Sequence, residues 1–293
     1  MTGQPPYALP PTFLGTRDAS PRAGICVAGI PFDLGTSFRP GARFAPNAIR
    51  MASRMLCDGD HPVHWRDPAG GMADVGDFVL PHGDVAGALT AIEAQAAPLA
   101  HLVALGGDHT VTLGLLRALA KKAGPLALIH FDAHVDTWPD TFGQAPSHGS
   151  VFHHAITEGL VDPRHMIQIG IRSPMARAVR DWTTGRGVRI VTAEDVHLQG
   201  PEAVAAAVRA AVAERPVYLS FDIDALDPSQ APGTGTPEVG GLFTWQALAI
   251  LRRLGGLRFA GMDVVELCPA YDTADITALA AATVAWEYLA LAG

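Results

Sequence analysis

Seven short apolar runs punctuate this chain, at residues 25–30, 102–105, 126–131, 166–171, 188–191, 217–221 and 259–265. They read as strands buried on both faces. Ala-rich stretches that read as helices separate them, near 46–55, 85–97, 111–122, 201–214, 245–254 and 276–291. Two-faced apolar strands joined by helices demand a parallel sheet covered on both sides, so the fold class is α/β. No repeat, charge block or linker divides the chain, and 293 residues suffice for one large domain. The expected division is an N-terminal extended arm over residues 1–22, rich in proline, followed by a single domain over 23–293.

Composition narrows the partners. Lys and Arg total 21 against 29 Asp and Glu, a net charge of −8. Such a surface argues against nucleic acid, which needs clustered basic residues. No uninterrupted apolar stretch of membrane-spanning length occurs, so no membrane partner is expected. The N-terminus lacks the pattern of a signal peptide. Three widely spaced cysteines form no disulfide framework or zinc-thiolate motif. These features lead to the expectation of a cytoplasmic location.

In doubly wound sheets the active site lies beyond the carboxyl ends of the strands, and the polar clusters of this sequence fall there. Asp132, His134 and Asp136 follow the third run in HFDAHVDTW; Asp222 and Asp224 follow the sixth in LSFDIDALDP; His109 follows the second in GGDHT. Ligand-type side chains at a spacing of two can point the same way from extended backbone. A turn or cap role would explain any one of these motifs by itself. Four carboxylates and two imidazoles at three strand ends of one sheet are harder to dismiss, because buried charges need pairing or a metal. The set is large enough for two divalent ions, which share a water and make it a nucleophile at neutral pH. His148, in a Gly- and Pro-containing loop, suits proton transfer to a leaving group. Glu266, just past the last strand, suits paired hydrogen bonds to a planar cation. Asp108 reads as a residue that orients a ligand or caps the helix, and Asp227 and Asp263 as structural or turn residues. The loop 232–242 lacks a P-loop pattern, and no GxSxG motif occurs.

These motifs, with SHG, PGTGTPEVGGL and GMDVVELCPAYD, resemble the ureohydrolase family of arginases, agmatinases and guanidino-acid hydrolases, from about Gly29 to the C-terminus. The resemblance implies a three-layer α/β/α sandwich around a mostly parallel sheet of about eight strands. It also implies two Mn2+ ions and hydrolysis of a guanidinium to urea and an amine. One ion would be held by His109, Asp132, Asp136 and Asp222, the other by His134, Asp132, Asp222 and Asp224. His148 matches the family's proton-shuttle position, Glu266 the guanidinium-holding carboxylate, and Asp136 would orient the nucleophile. The motifs look most like those of bacterial agmatinases, which implies the cationic substrate agmatine. A guanidino acid or free guanidine is the alternative, with Arg172 or another loop cation available to a carboxylate tail. A one-zinc deacetylase or a non-catalytic metal scaffold fits the ligand count less well. Relatives of this kind assemble as hexamers or trimers, so a homo-oligomer is implied.

Overall fold

The computed structural model describes residues 5–292. Eight strands form one sheet: β1 (Ile25–Gly29), β2 (Met72–Asp77), β3 (Leu102–Leu105), β4 (Leu126–Phe131), β5 (Val161–Ile171), β6 (Arg189–Thr192), β7 (Val217–Asp222) and β8 (Phe259–Val265). Their order is β2-β1-β3-β8-β7-β4-β5-β6. Every pairing is parallel, as the two-faced apolar runs require.

Eight helices complete the layers: α1 (Ala45–Ser53), α2 (Val85–Ala96), α3 (Val111–Ala123), α4 (Val151–Thr157), α5 (Arg177–Thr184), α6 (Ala193–Val212), α7 (Thr244–Arg252) and α8 (Ile276–Ala292). The strands divide their side chains between two cores by their period of two. In β4, Ala127, Ile129 and Phe131 pack with residues of α1, α6, α7 and α8. Leu126 and Leu128 pack with residues of α2, α3 and α4 on the other face. The result is a helix–sheet–helix sandwich.

Four differences from the sequence reading have physical causes. β2 was not anticipated: it is an edge strand whose second half is not buried, and Gly76, Asp74 and Asp77 mask its pattern. The short helix α5 was also missed, and it buries only Thr183; α4 is the helix on which the sequence reading places His153 and His154. Helix α6 starts at Ala193, eight residues before Pro201, and absorbs the proline through a kink at Gly200, whose φ is 78°. Finally, the N-terminal arm, expected on the surface or on a neighbouring subunit, is partly buried against its own chain. Leu9, Phe13 and Leu14 are buried, and the Phe13 and Leu14 N–H groups donate to Asp74 Oδ2 and Ser53 Oγ at 2.7 and 2.8 Å. Residues 1–4 of that arm lie outside the described residues.

His101, just before β3, joins the sheet to α8 through a 2.7 Å hydrogen bond between its Nε2 and the Tyr288 hydroxyl. Burial lowers the His101 pKa to about 4. The native state therefore holds this ring neutral while the unfolded chain protonates it near pH 6.5, so its contribution is complete above 6.5 and lost as pH falls toward 4. We expect His101→Gln to flatten the fall in unfolding free energy over that window by up to about 3 kcal/mol. Denaturant titrations at pH 7, 6, 5 and 4 measure it, and parallel curves for both proteins would contradict it.

Candidate metal centre

Strands β3, β8, β7 and β4 are consecutive neighbours at the middle of the sheet. Their carboxyl ends deliver His109, Glu266, Asp222 and Asp132 to one spot. The turn after β3 needs its two glycines. Gly106 and Gly107 have φ of 76° and 86°. A Cβ on the first would lie 2.7 Å from Ala45 Cβ, and one on the second 2.7 Å from the Ile30 carbonyl oxygen. Asp136 and Glu266 also take left-handed backbone, with φ of 49° and 64°. Such strain in non-glycine residues persists only where surrounding structure enforces it.

His109 is the clearest element of the site. Its ring is fully buried. Ser220 Oγ donates to Asp263 Oδ1 at 2.7 Å, so that hydroxyl has only lone pairs left for His109 Nε2, 2.8 Å away. Nε2 must carry the proton, and the neutral ring then presents a bare Nδ1. Nδ1 lies 2.9 Å from Asp136 Oδ2 and 3.3 Å from both Asp132 Oδ2 and Asp222 Oδ2, with no hydrogen-bond partner. A nitrogen lone pair facing three carboxylate oxygens calls for a cation among them.

A second group adjoins the first. His134 Nδ1 lies 3.2 Å from Asp132 Oδ1 and 3.1 Å from Asp224 Oδ2. Asp132 thus turns one oxygen toward each imidazole. Asp224 is further fixed by accepting the Ala133 N–H at 3.0 Å, and its own N–H donates to Asp222 Oδ1 at 2.8 Å. Burial disfavours charge on both His109 and His134, but the adjacent aspartates outweigh it and raise both pKa values, so the carboxylates draw positive charge to these imidazoles, a proton where no metal ion takes its place. Burial and repulsion from Asp224 and Asp132 push Asp222 well above the usual carboxylate range. The donor set and the unpartnered Nδ1 therefore fit a pair of divalent ions.

His148 and Glu266 stand together beside these groups. Glu266 Oε1 accepts the His109 N–H at 2.8 Å and lies 3.1 Å from His148 Nδ1. Its Oε2 is buried without a partner. Burial opposes charge on His148, but Glu266, Asp136 and Asp108 raise its pKa to about 9. Asp108 bridges two loops: its carboxylate accepts the Gly35 N–H at 2.7 Å and the Thr110 N–H at 2.9 Å. Burial and then Glu266 raise its pKa to about 7. Asp227 is a loop clamp, accepting N–H groups of Ser229, Gly240 and Gly241.

A cavity of about 350 Å³ opens onto the site, with His134, Asp136, Trp138, Asp140, His148 and Asp222 in its wall. Among the described residues no Lys or Arg lines it. Arg172 is not available to a ligand tail. Its guanidinium donates to the carbonyl oxygens of Gly170, Asp224, Ala225, Leu226, Glu238 and Val239.

With this geometry in view, the known relatives are informative. The profile of the Arginase family matches residues 23–290. The chain belongs to the arginase family. It is 46% identical to an agmatinase of Chromobacterium violaceum, over 91% of this chain and 83% of the relative. The crystal structure of a hypothetical agmatinase from Burkholderia thailandensis superposes with a TM-score of 0.90 at 42% identity, covering 98% of this chain and 91% of that one. Proclavaminate amidinohydrolase from Streptomyces clavuligerus superposes with a TM-score of 0.92 at 41% identity, covering 99% of each.

The sequence reading of this arginase-family chain did not anticipate the groups that hold the aspartates and imidazoles. His130 Nδ1 accepts from Gln168 Nε2 at 3.1 Å, so Nε2 donates to Asp132 Oδ2 at 2.7 Å. His130 therefore orients Asp132. Its place two residues before Asp132, on the same strand face, was the available signal. Asp263 accepts from Thr112, Tyr218 and Ser220 and through Ser220 fixes the His109 tautomer. Partners of this kind are worth about 10- to 100-fold in metal affinity. We expect Ser220→Ala to weaken metal binding by about that factor, read by competition with a chelator. Unchanged affinity would remove Ser220 from the site.

Proposed function

We propose that this chain is a binuclear manganese hydrolase that splits agmatine into putrescine and urea. Membership of the arginase family makes it a hydrolase of linear amidines. The choice among guanidines rests on the cavity, whose wall offers carboxylates and neutral groups but no basic side chain among the described residues. A cationic tail suits that wall, and a carboxylate tail would be buried without a partner. The likeness to a proclavaminate amidinohydrolase keeps a carboxylate-tailed guanidine as the second reading, and the withdrawn guanidinium of Arg172 weighs against it.

In this reading His109, Asp132, Asp136 and Asp222 hold one ion, and His134, Asp132, Asp222 and Asp224 the other. Mixed carboxylate and imidazole donors suit Mn2+. When bound, the ions supply a water acidic enough to attack at neutral pH and a positive field for the developing charge. The protein's own groups do the rest. Glu266 Oε2, buried and unpartnered, accepts from the guanidinium and sets its plane. Asp136, in the cavity wall, accepts a hydrogen bond from the attacking water and aims it. His148 moves the proton that the leaving amine needs. A homo-oligomer, a trimer or hexamer, belongs to the same reading. Met55, Val63 and Trp65 are exposed in one segment, and a covered face there is the physical reason. Three free cysteines fit a reducing, cytoplasmic setting.

Urea release from Mn-loaded protein over agmatine, arginine, 4-guanidinobutyrate, 3-guanidinopropionate and guanidine tests the substrate. Agmatine should lead, and a guanidino acid in first place would move the specificity to the second reading. Asp132→Asn should lose bound metal and urea release together, and chelation of the wild type should do the same. His148→Ala should keep its metal while kcat falls about 10²–10⁴-fold. Full turnover in that variant would take His148 out of the proposal.

A further inference from the structure

His148 does not face the cavity with a free nitrogen. Its Nδ1 sits 3.1 Å from Glu266 Oε1, a carboxylate that accepts. Its Nε2 receives the Ser37 backbone N–H at 3.2 Å and lies 2.8 Å from Ser37 Oγ. A backbone N–H is only a donor, so Nε2 is the unprotonated nitrogen of the neutral ring and Nδ1 bears the hydrogen. The Ser37 hydroxyl is the one group at Nε2 that can reverse roles, donating to the neutral ring and accepting from the imidazolium. Ser37 is exposed in the cavity wall, whereas the His148 ring is buried.

The position of Ser37 is built. Gly35 N–H donates to Asp108 Oδ2, and Gly35 O accepts the His148 N–H at 3.3 Å. A Cβ on Gly35 would fall 2.0 Å from Thr110 Oγ1, so only glycine lets this loop close onto the start of α3. The two anchors lock the loop and the histidine to each other, two residues from the hydroxyl.

We propose that Ser37 is a proton relay between His148 and the cavity. The inference rests on the hydrolase reading above. When the C–N bond breaks, its electron pair stays on the leaving amine nitrogen. Ser37 Oγ gives that nitrogen one proton and takes the Nε2 proton of the His148 imidazolium, which returns to the neutral ring; the hydrogen left on the attacking oxygen passes to the same nitrogen as that oxygen becomes the urea carbonyl. The next water to enter gives up a proton along the same pair of bonds and restores the imidazolium. Protons balance over the cycle, and the products are urea and the protonated amine.

The test uses Mn-loaded enzyme with agmatine. Ser37→Ala leaves the backbone N–H in place and removes only the relay, so kcat should fall by about the 10²–10⁴-fold expected of His148→Ala with KM and bound metal unchanged. Ser37→Thr, which keeps a hydroxyl, should recover most of the rate. The pH profile of kcat should lose the limb that His148→Ala also removes. In a His148→Ala background the Ser37→Ala change should cost nothing further. Independently of activity, 15N spectra of histidine-labelled enzyme should show His148 Nε2 without a proton when the ring is neutral. An undiminished kcat in Ser37→Ala, a full additional loss in the His148→Ala background, or a proton-bearing Nε2 in the neutral ring would each overturn the relay. Absence of urea from every guanidine in wild type would instead sink the hydrolase reading, and the 15N spectra would still decide the His148–Ser37 contact.

Discussion

Four aspartates and two imidazoles are packed where water is largely excluded, and the fold must carry that cost. Charges so placed repel one another unless positive charge sits among them. The sheet order answers the geometric half of the problem. By setting β3, β8, β7 and β4 side by side, it brings to one point side chains that are more than a hundred residues apart in sequence. The other half is electrostatic, and divalent ions answer it. The unpartnered Nδ1 of His109 among three carboxylate oxygens is the place where the need is most visible.

A shell of neutral and acidic groups turns this crowd into a defined site. Asp263 acts through Ser220 on His109, Gln168 acts through His130 on Asp132, and Asp108 ties the loop of residues 33–37 to the start of α3. Each chain ends by fixing which nitrogen of an imidazole carries the proton or which way a carboxylate faces. The candidate metal ligands sit at one end of such chains, and His148 and Glu266, for which we propose roles in proton transfer and substrate holding, at another. His109 couples the two through its N–H to Glu266 Oε1.

The parts of the molecule legible in the sequence are those written in local spacing. Asp132, His134 and Asp136 announce themselves by their interval of two, and Asp222 with Asp224 does the same at another strand end. The seven apolar runs reveal the sheet because burial on both faces leaves few polar positions in them, and His130, Gln168, Ser220 and Asp263, the buried exceptions, are held by hydrogen bonds at the site. Edge strand β2 escaped because half of it meets solvent, and α5 because almost none of it is buried. Ser37, Ser220, Asp263 and Gln168 were illegible as parts of the site for a different reason. Their meaning lies in contacts between segments far apart in the chain, which no local pattern encodes. Arg172 shows the converse: a cation beside the site looked available to a ligand, and only its carbonyl partners reveal that it is spent on the backbone.

That use of Arg172 makes the two sides of the cavity mechanically unequal. Its guanidinium stitches the end of β5 to the backbone at Asp224 and to the turn at Glu238, so the rim on that side is a fixed wall continuous with a candidate metal-binding residue. Elsewhere in the cavity wall, Trp138, Asp140, Thr141 and Phe142 belong to a loop that turns on the short Thr141–Gln144 bridge, with Phe142 exposed. A guanidine with a longer or bulkier tail has no room to gain on the stitched side without dragging Asp224 with it. Any give in the cavity wall must therefore come from the segment that Arg172 does not hold.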